Sequence, residues 1–141
     1  MKSTLLLTIL ATGFLAFGCA SSEKNSYREE DLTNLVQINP PTDQNHDSSN
    51  LYIDTVELIN FKERDVLLIT GSFPDACTYL KEASDTLVND SLRIRLKAWR
   101  KSDAMCAQVL TSFSFIYDQI PADILNQRST VTVNKRTYQI Q

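Results

Sequence analysis

The segment at residues 92–99 is the feature that most constrains the fold of this chain. Its side chains alternate at a period of two: Leu92, Ile94, Leu96 and Ala98 occupy one parity, and Arg93, Arg95, Lys97 and Trp99 occupy the other. Successive side chains of a β-strand point to opposite faces of a sheet. The pattern therefore predicts a strand with one face on a hydrophobic core and a basic face turned outward.

Short apolar segments separated by turn residues fill the rest of the C-terminal part. Strands are predicted at residues 51–60, 66–73, 111–117, 130–133 and 137–140, with turns at 61–65, at 89–91 and near 134–135. Phe113, Phe115 and Tyr117 share a parity that we expect to face the core. Residues 77–80 can begin a further strand, whereas residues 78–86 can instead form a helical turn. About seven short strands at this spacing predict an all-β chain, folded as a small immunoglobulin-like antiparallel β-sandwich.

The N-terminus has the layout of a secretory signal. A basic start at Lys2 precedes an apolar stretch at residues 5–17, and no acidic residue occurs before Glu23. The stretch is shorter than the roughly 20 apolar residues that a membrane-spanning helix needs. We expect residues 1–18 to be a signal peptide.

The apolar stretch ends in Leu15-Ala16-Phe17-Gly18-Cys19, which resembles the lipobox of bacterial lipoproteins. The resemblance implies diacylglyceryl transfer to Cys19, cleavage after Gly18 and acylation of the new amino terminus. It also implies delivery to the outer membrane, on its periplasmic side, because Ala20 rather than an acidic residue follows Cys19. The alternative is an ordinary signal peptide in which Cys19 is incidental.

A polar segment separates this cysteine from the predicted strands. Residues 19–50 are rich in Ser, Asn, Asp, Glu and Gln, and their few aliphatic side chains bury too little surface to offset the entropy of ordering. We therefore expect residues 19–50 to be a lipidated N-terminus and flexible linker. The folded domain is expected at residues 51–141, near the small end of the range for independent folding.

Two cysteines remain once Cys19 is assigned to lipid. Cys77 and Cys106 are then the only intramolecular pair, in a compartment where thiols oxidise. A disulfide that closes a loop of this length contributes about 3 to 4 kcal/mol in the chain-entropy model. A catalytic redox pair is disfavoured because such pairs are usually arranged as Cys-x-x-Cys.

Three short segments, at residues 71–77, 103–106 and 131–134, resemble a small immunoglobulin-like module found in exported bacterial proteins. The resemblance covers only part of the mature chain. It implies a β-sandwich fold and a disulfide, and it implies no activity.

Composition and motifs exclude several classes of function. Fourteen basic and 17 acidic residues give a net charge of -3, so no global basic field attracts nucleic acid. The single histidine, His46, lies in the polar segment without a catalytic arrangement around it. No metal-ligand motif or glycine-rich phosphate loop occurs. We expect no enzymatic activity, no cofactor and no metal.

The row formed by Arg93, Arg95, Lys97 and Trp99 is the one candidate binding surface. An ordered basic row with an aromatic end can bind lipid phosphates, anionic glycans or an acidic protein. The alternative is a solvated outer face or an edge protected by its charges.

The expected function is a lipid-anchored, non-enzymatic binding or assembly module that contacts an envelope protein or glycan. The alternative is an inhibitor of an exported hydrolase, which would present a rigid loop at residues 73–77 or 101–105.

Overall fold

The computed structural model describes residues 26–126 and 130–140. Two β-sheets pack face to face, which confirms the predicted all-β sandwich. The strands are β1 (Ser26–Tyr27), β2 (His46–Ser49), β3 (Tyr52–Phe61), β4 (Arg64–Phe73), β5 (Thr78–Val88), β6 (Ser91–Lys101), β7 (Thr111–Tyr117), β8 (Thr130–Val133) and β9 (Arg136–Gln139). A 3₁₀ turn at Glu29–Asp31 and a short helix, α1 (Ala122–Asn126), complete the described elements.

The first sheet has the order β1-β3-β4-β7, and the second sheet is built around β6. β5 pairs with almost the whole length of one edge of β6. β2 and β8 share the other edge, and β9 adjoins β8. The hairpins are antiparallel as predicted, but β1–β3 and β6–β8 are parallel pairs. The sandwich is therefore mixed, because these two pairs join segments that are distant in sequence and not linked by a hairpin.

The core follows the sequence periodicity. Leu92, Ile94, Leu96 and Ala98 are buried, whereas Arg93, Arg95 and Lys97 are exposed. The predicted core aromatics Phe113, Phe115 and Tyr117 are also buried, at the inner face of β7. The short helix α1, which the sequence pattern did not predict, adds the buried side chain of Ile124 to the same cluster.

Residues 78–86, for which the sequence allowed either a strand or a helical turn, form a strand. β5 runs antiparallel to β6 from Thr78 to Val88, with one irregularity between Leu80 and Glu82. The Asn89–Asp90 turn folds the chain directly back, so the backbone of this segment finds its hydrogen-bond partners on β6 and does not need a helix.

Three hairpins turn through pairs of residues in the left-handed backbone region, as two-residue turns of a right-twisted ribbon require. These positions confirm the turns predicted from the sequence. The pairs with positive φ are Lys62 and Glu63, Asn89 and Asp90, and Asn134 and Lys135.

Several parts of the segment expected to be a flexible linker are instead packed on the sandwich. Val36 N–H donates to Ser114 O at 2.8 Å on β7, and Asn39 N–H donates to Leu80 O at 2.8 Å on β5. We call residues 34–39 the edge strap, because they cross from the edge strand of one sheet to the edge strand of the other. The edge strands carry backbone groups without a partner in their own sheet, and the edge strap forms hydrogen bonds with some of these groups. The composition of the segment does not reveal these partners.

The same segment covers apolar surface on the outside of the first sheet. Tyr27 and Leu32 pack against a second buried cluster formed by Ile59, Phe61, Val66 and Leu68. The expected linker therefore half-buries Leu32, Leu35 and Val36 against the sandwich, and these contacts, which a lone segment lacks, offset part of the ordering entropy. Residues 1–25, which include Cys19 and the predicted cleavage point, lie outside the described residues.

Gly71 on β4 is the position where a close approach requires glycine. A Cβ atom there would collide with the carbonyl oxygen of Tyr52 and lie 2.8 Å from the ring of Phe113. This carbonyl belongs to β3, next to the register shift between Ile53 and Thr55. Strand β3 and the ring of Phe113, which stacks on Phe73, can therefore both approach position 71 only because that residue is a glycine.

We expect Gly71→Ala to lower the free energy of unfolding by about 1 to 3 kcal/mol, because the methyl group must displace backbone or a packed ring. Urea denaturation with the disulfide intact measures the effect. Ser72→Ala, on the neighbouring position of the same strand, is the control and should change stability by less than about 0.5 kcal/mol. Equal stability of the two variants would contradict the close approach.

Candidate functional site

The predicted basic row lies on the outer face of the second sheet. Arg93, Arg95 and Lys97 point outward from β6 and are joined there by Lys135 from the turn between β8 and β9. We call these four residues the basic face. They line an open depression of about 900 Å³, whose single lining carboxylate is Asp85.

The two arginines of the basic face have hydroxyl neighbours. The sheet register places Arg93 between Thr86 of β5 and Thr132 of β8, and places Arg95 opposite Ser84. Neither arginine forms an ion pair with any residue in the described ranges. Lys97 differs, because its Nζ lies 3.2 Å from Oε1 of Glu82. Of the four residues of the basic face, only Lys97 therefore has an ion-pair partner among the described residues.

An aromatic cluster continues the row beyond Lys97. The ring of Tyr79 lies 5.4 Å from the ring of Trp99, and the ring of His46 meets Trp99 edge-on at 5.7 Å. Trp99 Nε1–H donates to Asn39 O at 2.6 Å, which fixes the indole, and Tyr79 is 42% exposed. The row from Arg93 to Trp99 therefore has the aromatic end that the sequence predicted, formed by half-buried Trp99 and exposed Tyr79.

His46 belongs to this cluster. Its Nδ1 lies 2.9 Å from Asp43 O, and Lys81 Nζ lies 3.4 Å from its Nε2. The geometry suits a hydrogen-bond arrangement in which Nδ1–H donates to the carbonyl and Nε2 accepts from the ammonium. A structural role beside Trp99 replaces the solvated position expected for this histidine.

The predicted disulfide is formed. Cys77 and Cys106 are bonded, with Cα atoms 5.8 Å apart. It joins the start of β5 to the loop at residues 102–110, at the end of the sandwich opposite the Lys62–Glu63 turn. That loop exposes Met105 completely, at 101% of its reference area, together with Val109 and Leu110.

A buried ion pair supports the disulfide. Asp75, whose side chain is 3% exposed, lies 3.1 Å from Arg100 Nη1 through its Oδ2. Its Oδ1 accepts from Cys77 N–H and Thr78 Oγ1, each at 2.9 Å. Arg100 also donates to Ala104 O at 3.1 Å, so this pair links both ends of the disulfide-closed segment.

A smaller cavity of about 380 Å³ opens between the sheets beside the edge strap, with lining residues that include Val36, Ile38 and Phe115. Tyr117 lies at its wall. Burial, and then the nearby Asp85 carboxylate, raise the pKa of the Tyr117 phenol well above its usual range. The Asp85 carboxylate raises this pKa although it forms no hydrogen bond of good geometry with the Tyr117 hydroxyl. The phenol is therefore neutral at physiological pH.

The sequence pattern did not identify three members of these sites. Lys135 lies far from β6 in sequence and reaches the basic face only through the parallel β6–β8 pair. Tyr79 lies in the segment for which the sequence allowed either a strand or a helical turn. The sequence around Asp75 does not indicate an ion pair, and its only distinguishing feature is its place two residues before Cys77. A metal site is absent from the described ranges, where no three His, Cys, Asp or Glu side chains are grouped to hold an ion. None of the described helices has the length and apolar character needed to cross a bilayer.

Comparison with known proteins agrees with the fold. Residues 67–141 match the family described as the ORF11 beta-sandwich domain. A protein of Herpetosiphon aurantiacus, described as an uncharacterized 10.2 kDa protein in the HgiCIIM 5′ region, is 33% identical over 66 residues, which are 47% of this chain and 69% of that protein. No solved structure matches the chain.

We expect Asp75→Asn to lower the free energy of unfolding by about 2 to 4 kcal/mol, because it leaves Arg100 partly buried without its counter-charge. Chemical denaturation under oxidising conditions measures the loss. Asp103→Asn removes the same charge from an exposed position in the adjacent loop and is the matched control. A loss no larger than that of the control would show that the Asp75–Arg100 pair does not hold this corner together.

Proposed function

The chain belongs to the ORF11 beta-sandwich domain family, and we propose that it is a lipid-anchored, non-enzymatic binding or assembly module of the cell envelope. In this proposal Cys19 carries the lipid, and the sandwich lies on the periplasmic side of the outer membrane. The observation that carries the proposal is the division of the three cysteines. Cys77 and Cys106 are bonded to each other, and Cys19 is left at the end of an apolar stretch in a lipobox-like sequence.

A disulfide supports export because such bonds persist in oxidising compartments and are rare in the reducing cytosol. Two or three acyl chains on Cys19 would contribute about 0.8 kcal/mol for each buried methylene group, which makes the attachment stable. The expected partners are the membrane, through the lipid, and an envelope protein or glycan, through the folded surface.

The packing of the expected linker brings the proposed module close to its membrane. Seven residue steps separate Cys19 from Ser26, so β1 lies within about 25 Å of the lipid even if the chain is fully extended. β1 pairs with Asn60 and Phe61, beside the Lys62–Glu63 turn. In this proposal the Lys62–Glu63 end of the sandwich is the end next to the lipid attachment, and the disulfide end can extend up to about 30 Å further, along the ten residues of β4.

Intact-mass measurement of the protein extracted from its membrane tests the covalent part of this proposal. We expect a chain that begins at Cys19, carries acyl mass and lacks two hydrogen atoms because of the Cys77–Cys106 bond. Cys19→Ser should abolish the acyl mass and release the protein from the membrane fraction. An unmodified Cys19, or a mature chain that begins elsewhere, would contradict lipid anchoring.

In-cell cross-linking of the anchored protein and of Cys19→Ser, followed by mass spectrometry, tests the assembly part. We expect a discrete envelope partner that depends on anchoring. Capture of an exported hydrolase would favour the second candidate instead.

That second candidate is inhibition of an exported hydrolase, and the loop at residues 102–110 favours it. Met105 is fully exposed beside the disulfide-bonded Cys106, while Arg100 holds the carbonyl of Ala104. A rigid loop with an exposed apolar tip can enter an active-site cleft at little entropic cost. The other expected loop, at residues 73–77, does not suit this role because Phe73 and Asp75 are buried.

If the chain is such an inhibitor, it should inhibit a secreted endoprotease that accepts apolar side chains, such as chymotrypsin, and survive the incubation. Met105→Asp should then weaken inhibition about 100-fold or more, as expected for the loss of a central anchor residue. Leu87→Asp changes another exposed apolar residue, away from this loop, and is the control. Cleavage of the loop without inhibition would eliminate this candidate.

A further inference from the structure

We propose that the outer face of the second sheet is a binding site for an extended anionic glycan. The basic face would bind its charged groups, and an aromatic pair, exposed Tyr79 and half-buried Trp99, would stack on a sugar ring. The inference deepens the proposed binding role by naming its ligand class. It rests on that role and does not depend on the lipid on Cys19.

The charge of this face is opposite in sign to the net charge of the chain. The chain has a net charge of -3, yet four cationic side chains and one carboxylate line the depression. The residue next to each arginine on β5 is a serine or threonine, so no carboxylate across the hairpin neutralises Arg93 or Arg95. A guanidinium in such a setting keeps its donors available for carboxylate, sulfate or phosphate groups, which it binds in bidentate geometry.

The spacing of the face suits a ligand with repeated groups. Alternate residues of a strand lie about 7 Å apart, so Arg93, Arg95, Lys97 and Trp99 form a straight row of about 20 Å. The hydroxyls of Ser84, Thr86 and Thr132 border this row and can accept or donate hydrogen bonds to sugar hydroxyls. The row therefore combines charge, hydroxyl groups and an aromatic surface along one direction.

The aromatic end is held in place before any ligand binds. The indole Nε1–H of Trp99 is bonded to Asn39 O in the edge strap, and His46 contacts the ring edge-on. A side chain fixed in this way loses little conformational freedom on binding. Tyr79 lies beside it with 42% of its surface exposed, which leaves an aromatic face for stacking.

An acidic peptide fits this face less well than a glycan. Peptides that bind sheets usually add a strand to an open edge, but β5 occupies one edge of β6, and β2 and β8 occupy the other. A peptide lying on the outer face would keep its own backbone groups unpaired with the sheet. A glycan has no backbone amides to satisfy and is bound through charged groups, hydroxyls and ring faces.

Binding of the full-length protein in detergent to a heparin oligosaccharide tests the proposal. The variant Arg93→Gln/Arg95→Gln should raise the Kd about tenfold or more, because each lost charge-assisted contact is a sizeable part of the affinity. The matched control is Arg28→Gln/Arg64→Gln, which removes two arginines that are paired with Glu30, Asp31 and Asp118 on the first sheet. The control should bind heparin like the unmodified protein. Both variants should unfold at the same midpoint as the unmodified protein, since all four side chains are exposed.

Tyr79→Ser separates a glycan from an acidic peptide. We expect this variant to weaken heparin binding several-fold and to leave binding of a poly-glutamate peptide of equal charge unchanged, because only the sugar uses the stacking surface. Equal heparin binding by the Arg93→Gln/Arg95→Gln variant, or an equal loss in the Arg28→Gln/Arg64→Gln control, would overturn the site. Tighter binding of poly-glutamate than of heparin would overturn the ligand class. The intact mass at Cys19 is independent of these results, so failure of the anchor and failure of this site can be told apart.

Discussion

The pairing of β6 on both of its edges is the constraint on which the rest of the structure depends. β5 covers one edge, and the other is divided between β2, which pairs near Trp99, and β8, which pairs near Arg93. Because no edge of β6 remains open, its inner face can supply the centre of the core while its outer face stays accessible. Two segments that are distant in sequence, β2 and β8, join the β5–β6 hairpin on this one strand, so the sheet combines local and long-range pairing.

The edge strap partly covers two further strand edges, those of β5 and β7. The edge strands β5 and β7 face each other across the side of the sandwich, and the edge strap gives each of them backbone partners at Leu80 and Ser114. The strap also bonds the indole of Trp99. A segment that protects exposed edges therefore also fixes part of the outer face, which links the stability of the sandwich to the geometry of the candidate site.

The sequence predicted the parts of the fold that local periodicity determines. The alternation at residues 92–99, the turn at Asn89 and Asp90, and the aromatic parity of β7 were all correct because each depends on neighbours in sequence. The packing of residues 26–50 was not predicted, since its partners lie on distant strands. One signal was available: residues 66–69 are continuously apolar, which is typical of a strand buried on both faces, and the N-terminal segment covers the second face. The parallel β6–β8 pair, which brings Lys135 to the basic face, left no such signal.

The core and the basic face are two consequences of one register. A slip of one residue in β6 would turn Arg93 and Arg95 inward and expose Leu92, Ile94 and Leu96. Asn134 opposes such a slip, because its side-chain amide bonds both Leu96 N at 2.8 Å and Leu96 O at 2.9 Å, in the manner of a further pair in the parallel ladder. The turn that presents Lys135 is thus the same turn that fixes the position of the arginines. A binding face built in this way needs no separate scaffold, since the packing that folds the sandwich also sets the spacing of its charges.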